Sequence, residues 1–285
     1  MCIRDRPKSA GLSICRLIIR SIYLLIPKSK QIAIKNIEIC LPNISDPEKL
    51  YYKSANTLAE NLYLFCLFPK IDQKFIDENI DYAEFVNVVN QCKKKSNGIL
   101  ASTAHIGMFE LAAYSCPFLG FPTNILARGL NLPNLDSWIN KIREKNGNKI
   151  FSRKGAYKKS IQYLRNGEHV AMLCDQNVKR RNSVFIDLFG TQASSTVTIG
   201  HAVAKTKCAL LFTVLVRTSA GKYKYIAREI DTNFETKDLA EFTKLVMRNY
   251  HLALEDVIRE YPEQWFWIHR RFKTRPEGQK EDFYD

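Results

Sequence analysis

The eight cysteines, Cys2, Cys15, Cys40, Cys66, Cys92, Cys116, Cys174 and Cys208, are scattered, with no CxxC pair and no zinc-ribbon spacing. Structural zinc sites and disulfide frameworks both need cysteines in recognisable groups. Most of these lie in apolar surroundings, where a free thiol behaves as a small buried hydrophobe. The expectation is a reducing compartment, no disulfides and no metal. Also missing are GxGxxG after a strand, GxxxxGK[ST], GxSxG and HExxH. Their absence argues against the commonest dinucleotide and P-loop sites, the hydrolase nucleophile elbow and the zincin helix. No cleavable signal peptide is expected, because no small-residue cleavage site follows the first apolar run.

That run, residues 12–26 (LSICRLIIRSIYLLI), is shorter than the roughly 20 residues that a membrane-spanning helix needs. It also carries Arg16 and Arg20, one helical turn apart, and Lys28 and Lys30 follow. Cations on one face with Leu, Ile and Tyr beside them suit a helix lying in a membrane interface. An ordinary amphipathic helix packed on a core is the plainer alternative. The opening MCIRDRP is unlike the rest of the chain, so a truncated or artefactual start is expected. Residues 1–30 are read as an interfacial anchor segment and residues 31–285 as a single domain.

What the chain has in excess is positive charge. Its 43 Lys+Arg against 29 Asp+Glu give a formal net charge of +14 across 285 residues. Such a protein favours anionic partners: nucleic acid, phospholipid, or acidic small molecules and proteins. RRM, KH and zinc-finger spacings are absent, which argues against nucleic acid.

From residue 98 onward, short apolar runs alternate with amphipathic stretches of about ten residues. GILASTAH, TNILAR, KIFSR and HVAMLCDQN read as strands, and the segments between them as helices. CALLFTVLVR and YKYIAREI read as a hairpin at the sheet edge, followed by a long amphipathic helix. The pattern predicts an α/β fold with a mixed, largely parallel sheet flanked by helices. Before it come helical stretches at residues 31–41, 47–68 and 84–95, and residues 72–84 are ambiguous.

In open α/β sheets, ligands bind at the carboxyl ends of strands. His105 closes one strand and Glu110 opens the next helix, which suggests a base with a carboxylate to orient it. The bland alternative is a capping histidine and an acid favoured by the helix macrodipole. LCDQN puts Asp175 and Gln176 at the same edge. Ser194, Ser195 and Thr196 read as the anion-binding start of a helix. PEQWFWIHRRFKTRP sets Trp265 and Trp267 among Arg270, Arg271, Lys273 and Arg275, a composition suited to a membrane interface with anionic headgroups.

HIGMFE, DQN with VFIDLFGTQASST, and PEQWFWIHRRFKTRP, in this order, resemble the bacterial lipid A biosynthesis (late) acyltransferase family, and IAIKNIEICLPNIS resembles the segment after that family's membrane anchor. The resemblance covers residues 31–276. It implies a glycerolipid-acyltransferase-like fold and acyl transfer from an acyl carrier protein thioester to a hydroxyl of a lipid A precursor, at the cytoplasmic face of the inner membrane. The implied partners are the carrier protein, an anionic glycolipid acceptor and the inner membrane surface, with no separate cofactor. The family's HxxxxD/E motif falls on His105 and Glu110, its basic residue on Arg143, an arginine on Arg128 and its later acid on Asp175. Asn177 stands where the family often has Asp. On this reading His105 is the base, near its reference pKa of about 6.5. Glu110 orients it, Arg143 and backbone N–H groups after His105 meet the oxyanion, and Asp175 supplies a supporting hydrogen bond. Arg16, Arg20, Trp265, Trp267, Arg270, Arg271 and Lys273 meet lipid. The alternatives are another glycolipid or lysophospholipid acceptor with a coenzyme A donor, and an inactive membrane-binding homologue.

Overall fold

A computed structural model describes residues 7–152, 155–279 and 283–284. The unusual opening, residues 1–6, lies outside them.

A seven-stranded sheet runs in the order β1 (Ile80–Asp81), β9 (Tyr223–Ile230), β8 (Ala209–Arg217), β2 (Ile99–Thr103), β5 (His169–Leu173), β3 (Thr123–Ala127), β4 (Lys149–Ser152). From β8 to β4 every pairing is parallel; β9 pairs antiparallel with β8, and β1, parallel to β9, runs the same way as β9. The expected hairpin is therefore present, but the two-residue β1 pairs outside it, so it is not the edge. Strand β8 has neighbours on both sides and helices on both faces, so it is apolar almost throughout, as a doubly covered strand must be.

Alternation along β8 divides the core in two. Leu210, Phe212, Val214 and Val216 point to the face covered by α8 (Ala156–Arg165), α9 (Thr198–Thr206) and α10 (Leu239–Glu260). Leu211 and Leu215 point to the other, covered by α5 (Ala83–Lys95) and α6 (Phe109–Ser115). A one-residue slip would exchange these two sets, so burial on both faces enforces the register. The segment at 183–196 is a separate hairpin of β6 (Ser183–Leu188) and β7 (Thr191–Thr196). Ser194, Ser195 and Thr196 thus lie in a strand, and α9 begins only at Thr198.

The ambiguous stretch at 72–84 resolves into α4 (Gln73–Asn79) and β1, and α7 (Pro133–Glu144) follows β3. At the N-terminal end, α1 (Lys8–Leu25) buries the single stripe Gly11, Cys15, Ile19 and Tyr23. A four-residue repeat keeps one side of a helix turned to its neighbour. That neighbour is α3 (Pro47–Leu67), where Tyr23 stacks on Tyr51 with centroids 5.1 Å apart. Helix α2 starts at Pro27 and runs to Cys40, through the boundary expected at residue 30. Pro27 offers no N–H and holds Ile26 out of helical conformation, and the two helices meet at 93°. Among the described residues no single helix is long and apolar enough to cross a membrane, although this bent pair passes that test jointly.

Candidate active site

Strands β2 and β5 are paired in parallel, with Thr103 opposite Leu173. Two residues past each strand end, the same register brings His105 opposite Asp175. Nδ1 of His105 lies 2.8 Å from Asp175 Oδ1. Asp175 Oδ2 accepts the His105 backbone N–H at 2.9 Å and the Trp265 indole N–H at 3.0 Å. The carboxylate is buried and both oxygens are engaged, whereas the imidazole is partly open. Nε2 points to Gln176, 3.4 Å away, and the ring lies between Phe109 and Phe266 at centroid distances of 5.4 and 6.0 Å.

Burial alone would lower the His105 pKa; the charge and hydrogen bond of Asp175, with a smaller push from Glu110, outweigh it. The imidazole therefore titrates above its ordinary value, not near it as expected from the sequence. Burial would raise Asp175, but the charge and hydrogen bond of His105, then Trp265 and the His105 backbone N–H, hold it down at about 2. Since this folded value lies below the unfolded one near 3.9 and that of His105 lies above its own, the pair stabilises the fold from about pH 4 up to the raised His105 pKa, and the contribution is lost as pH rises through it. That contribution fades as pH falls through about 2.

Glu110 does not orient His105. It sits in the first turn of α6 and takes a bidentate contact from Arg143 in the last turn of α7, through Nε at 3.0 Å and through Nη2. Although Glu110 is only five residues along the chain, the Nδ1 hydrogen bond goes to a carboxylate seventy positions on. Arg143 is paired with Glu110, whose charge reaches the imidazole. Glu110→Gln and Arg143→Gln should each cost activity, and their combination should cost little more than either alone. A double-mutant cycle with a coupling of about 0.5–3 kcal/mol is the expected reading. Arg128 is exposed at the end of β3.

The C-terminal segment locks the loop that carries His105. Phe266 N–H donates to the His105 carbonyl at 3.0 Å, and Gly107 N–H to the Gln264 carbonyl at 2.9 Å. Met108 N–H donates to the Leu215 carbonyl at 2.7 Å. The Gly107 and Met108 donors, expected to serve an oxyanion, are thus already taken. Asn61 donates to the Gly107 carbonyl at 2.7 Å and Thr57 to the Glu263 carbonyl at 2.9 Å. Both are buried on α3, a turn apart. The sequence signal for them was there: two polar residues facing inward on an apolar helix, each requiring a partner.

PEQWFWIHRRFKTRP is for the most part interior. Trp265, Trp267, Arg271 and Arg275 are buried and cannot meet lipid headgroups. Trp265 serves Asp175; Trp267 donates to the Pro262 carbonyl at 2.7 Å. Arg271 donates to the Ser194 carbonyl at 2.6 Å and to Ser195 Oγ at 2.8 Å, joining β7 to this segment and using the serines read as an anion site. Next to that cation, His251 is driven down to about 3, by burial first and Arg271 second. The Asn177 N–H donates to His269 Nε2 at 2.9 Å, and its side chain exchanges hydrogen bonds with Thr274. Asn177 thus fastens the turn after β5 to the C-terminal segment. Arg270 is half-buried, 5.9 Å from the Tyr284 ring, and Lys273 is exposed. Arg16 and Arg20 are exposed on α1. Among the described residues no group of three or more His, Cys, Asp or Glu is placed to hold a metal ion.

A partly open imidazole backed by a buried carboxylate thus lies at the carboxyl rim of a parallel α/β sheet, where such folds bind their ligands. The match to the bacterial lipid A biosynthesis acyltransferase family spans residues 1–274, and the chain belongs to that family. It is therefore an acyltransferase. It is 28% identical over 256 residues to the lipid A biosynthesis lauroyltransferase of Escherichia coli K12, covering 86% of this chain and 79% of that one. It is 24% identical over 263 residues to a lipid A biosynthesis acyltransferase of Haemophilus influenzae, with 90% and 79% covered. The E. coli K12 palmitoleoyltransferase is 24% identical over 265 residues, with 88% and 81% covered.

Proposed function

We propose that this enzyme moves a fatty acyl chain from an acyl carrier protein thioester to a hydroxyl of a lipid A precursor, at the cytoplasmic face of the inner membrane, with His105 as general base. The observation that supports this most is the His105–Asp175 contact. With its Nδ1–H held by a buried anion, the ring exposes a basic Nε2 toward the open rim.

The acceptor hydroxyl gives its proton to Nε2 as its oxygen adds to the thioester carbonyl carbon. The Asp175 carboxylate stabilises the imidazolium that forms. Collapse of the tetrahedral adduct breaks the carbon–sulfur bond, and the imidazolium returns the proton to the departing thiolate. A thioester is already a good electrophile, so no covalent enzyme intermediate is needed. Base assistance of this kind contributes about 10²- to 10⁴-fold.

Membrane association is supported by α1. Opposite its buried stripe, Leu17, Leu24 and Leu25 are 67%, 80% and 82% exposed, alongside Arg16 and Arg20. Exposed leucines beside cations fit the acyl and headgroup layers of an anionic bilayer. The net charge of +14 also suits an acidic carrier protein, and both contacts should weaken with salt.

The test is to supply mixed-length acyl carrier protein thioesters and a tetra-acylated precursor, then read the added mass. One added acyl group, with loss of about 10²-fold or more in His105→Asn, is the expected result. Asn is preferred to Ala because its amide still donates to Asp175, whereas Ala would leave a buried carboxylate short of a partner. Acylation only from coenzyme A thioesters, or only of a lysophospholipid, would replace the donor or the acceptor. Undiminished turnover in His105→Asn would remove the base.

A further inference from the structure

Helix α7 has no buried residue along its length. Its inner side holds on through Arg143 to Glu110, the half-buried Ile142, and a Phe65–Trp138 edge contact at 6.3 Å. Leu132, Leu135 and Trp138 recur every three residues and are 64%, 42% and 53% exposed, Trp138 remaining about half exposed beside its Phe65 contact. Leu130, also exposed, is kept beside them because Asp136 accepts its N–H at 2.8 Å. Leu132 sits at the N-cap, in extended conformation just before the helix begins, and Leu135 and Trp138 follow one turn apart on the helix surface. Scattered exposed apolar residues are ordinary, but a row of four large ones in one short segment is not.

The position of this row indicates what covers it. Helix α3 borders both this patch and α1: Phe65 touches Trp138, while Cys15 of α1 lies near Tyr63 and Cys66. The α7 residues and the part of α1 that carries the exposed Leu17 and Ile18 therefore flank the C-terminal end of α3, while Leu24 and Leu25 lie toward its other end, past the Tyr23–Tyr51 stack. Exposed Arg128 and Lys141 accompany the leucines, as Arg16 and Arg20 do on α1. Two exposed apolar groups, Leu17 and Ile18 on one side and Leu130, Leu132, Leu135 and Trp138 on the other, each with its own cations and both at one end of α3, match a single surface that is apolar inside and anionic outside.

We infer that Leu130, Leu132, Leu135 and Trp138 form a second contact with an anionic bilayer, inserting together with α1 so that the rim carrying His105 faces the lipid. This inference rests on the membrane association proposed above. Arg143 lies on the same helix as Leu135 and Trp138, so bilayer contact bears directly on the Arg143–Glu110 tether beside the imidazole.

The structure supplies its own probe. The sequence has three tryptophans, and Trp265 and Trp267 are buried, leaving Trp138 as the exposed one. The full-length protein is mixed with phosphatidylglycerol and phosphatidylethanolamine vesicles brominated on their acyl chains. The expected result is co-sedimentation with a blue shift and quenching of emission, both abolished in Trp138→Phe. Leu132→Asp with Leu135→Asp should weaken vesicle binding by about tenfold or more, because two leucines no longer enter the apolar layer. Co-sedimentation with unquenched Trp138 would overturn the second contact and leave α1 as anchor. No sedimentation would remove the membrane reading as well. A blue shift that grows with protein concentration in the absence of vesicles would assign the row to a second copy of the chain and overturn the inference.

Discussion

Asp175→Asn should lower acyl transfer by about 10³- to 10⁴-fold if His105 is the base, and the reason is a tautomer. The position of Oδ2 receives two donors, the His105 backbone N–H and the Trp265 indole N–H. An amide introduced there must turn its oxygen toward them. Its NH₂ then faces His105 Nδ1, so Nδ1 has to accept and the ring proton moves to Nε2. The atom that should take the hydroxyl proton already carries one. The pH dependence changes as well. A general base works when neutral, so the wild-type rate rises with pH through the His105 pKa, which Asp175 holds above its ordinary value. Without the anion, burial is left as the main influence and the pKa falls. The acid limb of the rate profile should move to lower pH while the plateau drops. A profile whose limb stays in place, whatever its height, would mean that Asp175 does not act through the imidazole. Steady-state rates across pH, with thermal melts to show that the variant is folded, make the measurement.

Gly107→Ala should lower activity by a different route. Gly107 has a φ of +59°. A Cβ there would meet the Leu215 carbonyl oxygen at 2.1 Å, and no rotamer change relieves a clash with backbone. The loop must withdraw from β8, which breaks the Met108–Leu215 bond and puts strain on the Asn61 and Gln264 contacts. Special backbone geometry and lost buried hydrogen bonds each cost on the order of 1–3 kcal/mol. Together they predict a melting temperature lower by roughly 5–10 °C, with turnover near that of His105→Asn. An unchanged melting temperature with full activity would show that the loop tolerates a shift the geometry forbids.

These two variants mark how far the sequence could be read. The alternation of apolar runs with amphipathic stretches determined the α/β layers and the order of the parallel strands' helices, because each period reports the element that buries it. His105, Asp175 and Gln176 were legible as residues at strand ends, where open sheets bind ligands. Their pairing was not. Spacing along the chain favoured Glu110, five positions from His105, but hydrogen bonds follow strand register, and β5 lies beside β2 only in the folded sheet. The clamp of Thr57, Asn61, Gln264 and Trp265 likewise joins segments some two hundred residues apart.

The C-terminal segment shows the same limit from the other side. Its tryptophans and arginines have the composition of a membrane interface, and composition alone cannot say which way a side chain faces. Folding turned Trp265, Trp267 and Arg271 inward, where buried hydrogen-bond acceptors await them, and left Leu132, Leu135 and Trp138 outside, on a helix whose polar face holds Glu110. By itself the sequence determined most of the strands and helices after residue 98, the polar residues at the strand ends and the family, since these depend on local periodicity and motif. Which carboxylate sits behind the imidazole, and which apolar residues stay exposed, was decided only by tertiary structure, because both depend on contacts that chain spacing does not encode.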